Sequence, residues 1–204
     1  MSKSETTRQK ILETTTWLIG QYGIEKSSLS MIANSVGIQK PSIYYYYSSK
    51  EELVDAVLAW ILEGYSFEKY FQINEYTKEN FVEKIISDGL QLLIEESRDT
   101  QILVVQVLNE FLLYGNRKSS HNKEYRLKIK AVQEGFINGF IRLMQKGAEF
   151  GLIDSKGLRE KASVLALTLD NLSNYPMIGI QLDVTAVWRQ AVTNLLSKGN
   201  LNER

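Results

Sequence analysis

The stretch Ser27 to Leu53, SSLSMIANSVGIQKPSIYYYYSSKEEL, constrains this chain more than any other, because its residues fall at the spacing of a helix-turn-helix. Ala33 is small enough to let a second helix cross closely, and four positions later Gly37 can take the positive φ that a tight interhelical turn requires. Ile32, Val36, Ile38 and Ile43 then share the inward side. Pro41 stands where a first-turn proline is tolerated, since its missing N–H would have no helical partner there. The spacing predicts a short second helix from about Gln39 to Tyr46 or Tyr47, which such a motif presents to the major groove.

Successive helical positions turn by about 100°, so Tyr44, Tyr45, Tyr46 and Tyr47 cannot all point inward. Tyr47, four residues after Ile43, is the predicted core member, and at least two of the others face out. Exposed phenols beside Lys40, Ser42 and Lys50 can donate to phosphate oxygens and stack on sugar or thymine methyl groups. Lys50 opens the next helix, where its cation adds to the favourable N-terminal dipole for a phosphate, and Lys40 reaches either a phosphate or a guanine edge. Gln39 is the candidate adenine reader. Without such contacts, Gln39, Ser42 and Ser30 read as solvated helix surface and capping residues.

Charge supports a one-ended contact. The chain carries no net charge, which excludes a uniformly basic nucleic-acid binder, yet residues 1–50 hold Lys3, Arg8, Lys10, Lys26, Lys40 and Lys50 against Glu5, Glu13 and Glu25. That is a net +3 for the head, leaving −3 for the remainder, and a basic head on an acidic body suits phosphate contact at one end. With no cysteine and a single histidine, His121, neither a disulfide framework nor a thiolate or multi-histidine metal site is available. His121 follows Ser119-Ser120 in an expected loop and reads as solvated. The N-terminus MSKSETTRQK lacks an apolar signal region, and stretches such as VLAWIL and ILVVQVL are far short of a bilayer span. A cytoplasmic protein without a membrane partner is expected.

Two prolines and few glycines interrupt a sequence rich in 3.6-residue apolar periodicity, so the fold is predicted all-α. Ile11, Thr15, Leu18 and Tyr22, with Leu12 and Ile19, mark a first helix stopping near Gly23. Ser28 caps the helix that holds Ile32 and Ala33. Ser49 and Glu52 form a capping box for a fourth helix running to about Tyr65 or Tyr70. Further helices are predicted over Thr77 to Glu96, Asp99 to Tyr114, Asn122 to Phe150, Asp154 or Ser155 to about Asn174, and Asp183 to Lys198. Gly115 to Ser120 is the clearest loop, and Pro176 with Gly179 separates the last two helices.

GIQKPSIYYYYSSKEEL resembles the recognition-helix signature of the tetracycline-repressor (TetR) family of bacterial regulators. In that signature a Tyr, an aromatic three residues later and a Lys-Glu-x-Leu opening of the next helix recur; Tyr44, Tyr47 and Lys50-Glu51-Glu52-Leu53 occupy those positions. The specific resemblance covers roughly residues 7 to 55, and Tyr47 stands where Phe is usual. It implies an N-terminal three-helix DNA-binding domain, residues 1–50, and a larger helical ligand-binding and dimerisation domain, residues 51–204. It further implies DNA contacts at Ser28, Ser30, Gln39, Lys40, Pro41, Ser42, Tyr44, Tyr46 and Lys50, with operator DNA as the partner.

The resemblance also implies a small-molecule pocket among the bulky residues of the middle helices. Aromatic walls with a few polar groups suit a small apolar or aromatic effector. The candidates are Trp60, Tyr65, Gln106, Asn109, Phe111, Tyr114, Phe136, Phe140 and Met144. The last two helices carry apolar residues on more than one face: Leu158, Ala162, Leu165, Leu169 and Leu172 form one stripe, and Val164, Leu167 and Asn171 another. Val184, Val187, Trp188, Ala191, Leu195 and Leu196 broaden the final helix. A helix apolar on two faces needs two partners, the domain core and the same helix pair in a second copy, so a homodimer is expected, with Leu165, Leu169, Leu172, Trp188 and Leu195 assigned to its interface and a large monomeric core as the alternative. An enzyme is the rival class, but no metal-ligand cluster, phosphate-binding loop or nucleophile signature supports it, and no cofactor is expected. The same helical pattern would also suit a helical interaction module, or a constitutive DNA-binding protein without a ligand.

Overall fold

The computed structural model describes residues 3–94, 98–115, 122–178 and 181–196, and among them every regular element is helical. The helices are α1 (Lys3–Lys26), α2 (Leu29–Val36), α3 (Lys40–Ile43), α4 (Lys50–Glu63), α5 (Phe67–Tyr70), α6 (Phe81–Ile94), α7 (Arg98–Gly115), α8 (Asn122–Glu149), α9 (Leu158–Ile178) and α10 (Val184–Leu196), with a 3-10 turn at Ile73–Glu75. Most of the expected loop after Gly115, and His121 with it, lies outside the described residues. Among the described residues no helix is long and apolar enough to cross a membrane. By packing, the chain divides into two compact units, Met1–Gly64 with Leu103–Lys130, and Tyr65–Ile102 with Ala131–Arg204.

In the first unit α1 buries Ile11, Leu18 and Ile19 as its repeat predicts. Thr15 and Thr16 are buried beside them, their hydroxyls donating to the Ile11 and Leu12 carbonyls at 2.7 and 2.9 Å, so neither polar group is left unsatisfied. The helix does not simply stop at Gly23. There the backbone takes φ 82°, ψ 164°, then completes one further turn to Lys26. The α4 helix likewise ends earlier than its apolar pattern suggests, at Glu63, and Ser66 starts the separate single turn α5. Val107, Phe111, Tyr125 and Ile129, from α7 and α8, complete the core that α1 to α4 begin; the Phe111 and Tyr125 rings meet edge-on at 5.1 Å.

The second unit is built around aromatic side chains. Phe67 stacks on Phe71 at 4.9 Å and lies against Gly139 of α8, where a Cβ would come within 2.3 Å of the ring. Thr77 and Asn80 exchange side-chain to backbone hydrogen bonds of 2.8 and 3.3 Å, which places the start of α6 at Phe81, later than Thr77. The α9 helix passes through Pro176 and ends two residues later, whereas the sequence predicted a break before the proline. A proline this close to a helix end removes one hydrogen bond and lets the helix stop immediately afterwards.

Trp188 of α10 is fully buried against Gly89 of α6, and its indole N–H donates to the Ile86 carbonyl at 3.1 Å. Leu165, Leu169 and Leu172 are buried in the same core, and Leu195 is half-buried against it. The chain's own core takes up the apolar surface of Leu165, Leu169, Leu172 and Trp188, which corrects their assignment to a subunit interface, whereas Leu195 is covered only in part. The two-faced pattern was real, but the inward stripe is Leu165-Leu169-Leu172. The stripe left in water is Val164-Leu167-Asn171, joined on the last helix by Val187.

Candidate nucleic-acid interface and effector cavity

The turn of the helix-turn-helix is made by Gly37 at φ 82°, ψ 32°, a left-handed conformation that L side chains adopt only at a cost. Its N–H donates to the Ala33 carbonyl at 3.0 Å, and so does that of Ile38. Ser28 caps α2 by accepting the Met31 N–H at 3.2 Å. The α3 helix is shorter than predicted, four residues with Gln39 at its N-cap. Beyond Ile43 it tightens: Tyr44, Tyr45 and Tyr46 donate to carbonyls three residues back at 3.2, 3.3 and 2.8 Å. This winding puts Ile43 and Tyr47 in the core and leaves Tyr44 50% and Tyr45 80% exposed.

Of the residues expected at DNA, Ser28, Ser30, Gln39, Lys40, Pro41, Ser42 and Tyr44 are exposed, while Tyr46 and Lys50 are half-buried. Tyr45, the most exposed of the tyrosines, is not marked by the family signature. Its ring stands edge-on to Tyr46 at 5.1 Å, which gives Tyr46 a supporting place. Arg8 of α1 also escapes any local pattern; its guanidinium lies 5.0 Å from the Tyr47 ring centre, a cation–π contact on the inner side of the recognition segment.

Two of the head's lysines bind helix ends. Lys10 donates to the Val36 carbonyl at the last residue of α2, at 3.2 Å, and Lys50 donates to the Glu25 carbonyl near the end of α1, at 3.1 Å. Cations at these carbonyls complement the negative ends of both helices. Burial lowers the Lys50 ammonium from its usual range, partly offset by Glu51 and Glu25. An ammonium has three donors, so the bond to Glu25 holds Lys50 in place and leaves two for another acceptor. At the start of α4, Ser49 accepts the Glu52 N–H at 3.0 Å. Glu52 reaches back to the Ser48 N–H and hydroxyl at 2.6 and 2.5 Å, bonds that hold its carboxyl below the usual range.

The nine residues expected around an effector separate into both units. Trp60, Gln106, Asn109, Phe111 and Tyr114 belong to the first, where Phe111 is core and Asn109 is exposed. Tyr65, Phe136, Phe140 and Met144 belong to the second, with Phe140 and Met144 fully buried. Only Tyr65 and Phe136 of the nine line a cavity of about 50 Å³ in the second unit, with Gln133, Ile137, Ala166, Leu167, Leu169 and Asp170. Their rings lie 5.2 Å apart. The Tyr65 hydroxyl sits 3.5 Å from that of Ser173, and burial pushes the phenol up to about 12. Burial also raises the Asp170 carboxyl above its ordinary range.

Comparison with known proteins bears on this geometry. Residues 11–57 match the family described as bacterial regulatory proteins, tetR family. The chain is 26% identical over 142 residues to the HTH-type transcriptional regulator YfiR of Bacillus subtilis, across 70% of this chain and 65% of that protein, so the match spans just under two thirds of that relative. It is 25% identical over 148 residues to the HTH-type transcriptional repressor KstR2 of Mycolicibacterium smegmatis, across 69% of this chain and 70% of that one. A solved TetR/AcrR-family transcriptional regulator from Thermobifida fusca shares the fold, with a TM-score of 0.59 at 22% identity over 97% of this chain and 98% of the other. Residues 11–57 thus carry the helix-turn-helix of the tetR family of bacterial regulatory proteins, and the chain shares its fold with a solved TetR/AcrR-family regulator.

Proposed function

We propose that the chain is a homodimeric transcriptional repressor that binds operator DNA through residues 1–50 and is released by a small effector bound within residues 51–204. The observation that carries the DNA half is the outward pair Tyr44 and Tyr45 beside exposed Lys40, on a segment anchored from inside by Ile43 and Tyr47. Phenol hydroxyls and a lysine on one short helix supply phosphate donors and base-edge contacts together. Ser28, Ser30, Gln39, Pro41, Ser42, Tyr46 and Lys50 complete the proposed contact set. One such helix reads few base pairs, so two copies at an inverted repeat give the specificity.

The exposed stripe of Val164 and Leu167 on α9, with Val187 on α10, supports the pairing, since apolar side chains so arranged gain by mutual burial. The cavity beside Tyr65 and Phe136 supports an effector site, though it holds less volume than a drug-sized ligand needs, so a larger effector requires it to widen. Selection of bound fragments from genomic DNA, followed by titration of the chosen duplex, tests the reading. An inverted repeat bound by two copies agrees with it. A dimer that selects no sequence makes the chain a helical interaction module.

A further inference from the structure

The cavity of the second unit carries one charged group and no counter-charge. Asp170 is its only carboxylate, none of its eight lining residues is Lys, Arg or His, and among the described residues the Asp170 carboxylate has neither a hydrogen bond nor an ion pair. Tyr65 and Gln133 line the same cavity, with Phe136, Ile137 and Leu169 forming the apolar wall. Asp170 lies close enough for its charge to add to the forces that keep the Tyr65 phenol protonated.

From this arrangement we infer that the cavity selects a small amphipathic amine, its ammonium group on Asp170 and its apolar body against Phe136, Ile137 and Leu169. The inference rests on the reading of residues 51–204 as the effector-binding part, and it names the effector's class. A part-buried carboxylate without a partner is held in its less favoured charged form, and a cation within about 4–6 Å relieves that. A carboxylate ligand does the opposite, bringing like charges together where little water screens them. A neutral alcohol can donate one hydrogen bond to the carboxylate but brings no counter-charge. About 50 Å³ accommodates a head group, and a six-carbon tail requires the cavity to widen along its apolar wall.

The test uses three probes with one six-carbon chain, n-hexylamine, hexanoate and 1-hexanol, titrated calorimetrically into the full-length protein at neutral pH without DNA. Hexylamine is expected to bind at least ~10-fold more tightly than either of the others, the lower end of what an opposite charge at this distance contributes. Asp170→Asn, which keeps the side chain's shape and an acceptor oxygen, abolishes the preference of the amine over the alcohol; Asp170→Ser does the same. Hexanoate binding as tightly as the amine, a preference that survives both substitutions, or no binding by any probe overturns the inference. A separate titration against the protein–operator complex tests the regulatory reading. Amine binding that leaves operator affinity untouched removes effector control but keeps the site, and intact operator binding without amine binding removes only the site.

Discussion

The Glu110 carboxylate of α7 accepts the Ile24 N–H at 3.1 Å, at the point where Gly23 interrupts α1. The break deprives that N–H of its helical acceptor, and a residue 86 positions later in the sequence supplies one. A Cβ at position 23 would stand 2.9 Å from a Glu110 oxygen, so the glycine is needed both for its positive φ and for this approach. Glu110→Ala is expected to destabilise the protein by about 1–3 kcal/mol, the cost of an unsatisfied part-buried donor. Glu110→Gln, which keeps an acceptor, should cost less. Gly23→Ala should cost about 1–2 kcal/mol through the left-handed backbone alone. Denaturant unfolding of the three variants checks the order, and equal stability of Glu110→Ala and wild type would show the bond to be incidental.

Trp188 and Leu167 are predicted to separate folding from assembly. Trp188→Ala removes a fully buried ring and its hydrogen bond to Ile86, and should cost about 3–5 kcal/mol in unfolding free energy. Leu167→Glu changes an exposed side chain and should leave the fold intact while weakening self-association. Sedimentation at matched concentrations distinguishes them. A folded Leu167→Glu dimer of unchanged affinity would mean that the pairing surface lies elsewhere.

The Asp170 carboxyl, raised by burial, gives a signed pH dependence. Its folded pKa lies above its unfolded one, so between the two the native state binds more protons than the unfolded state, and stability falls as pH rises through that window. Asp170→Asn is therefore expected to raise the melting temperature at pH 7, with the difference from wild type shrinking as pH falls through that window and gone below the unfolded value of about 4. Because the group is only partly buried, the gain is small. A melting temperature lowered at pH 7 would show that the carboxylate has a stabilising partner.

Lys10 and Lys50 make similar bonds to helix ends, but only Lys50 is proposed to reach phosphate. Lys50→Ala should reduce the salt slope of operator binding by about 1.8 per dimer, one counterion for each protomer. Lys10→Ala should leave the slope unchanged and cost about 1 kcal/mol of stability. Parallel salt titrations decide between the two, and an unchanged slope for Lys50→Ala would restrict it to positioning α4 against α1.

The parts legible in the sequence are those fixed by neighbours in the chain. Gly37, Ser28 and Ser49 follow local rules of turn and cap, and the structure uses each as those rules predict. Inward Ile43 and Tyr47 followed from periodicity. What was not legible depends on packing between distant segments. Periodicity found two apolar stripes on α9 but not which one the α6 and α10 helices would cover. Phe111 and Phe136 read alike as bulky residues in apolar runs, yet they belong to different units, because α7 and α8 each contribute to both. Arg8 over Tyr47, and Lys10 and Lys50 at carbonyl oxygens, are contacts that no local pattern marks.

The most direct test of the account is the affinity of the full-length protein for its selected duplex, read by fluorescence anisotropy between 50 and 200 mM salt, for wild type and the Lys40→Ala, Tyr44→Ala double variant. With Lys40 and Lys50 of two protomers neutralising roughly four phosphates, the wild-type slope should be near −3.6, about 10²-fold weaker binding across that range. The double variant, with unchanged helical content, should bind at least ~10-fold more weakly, and its slope should be shallower by about 1.8. An affinity independent of salt, or one unaltered by the double substitution, would contradict the assignment of α3 as the DNA-reading element.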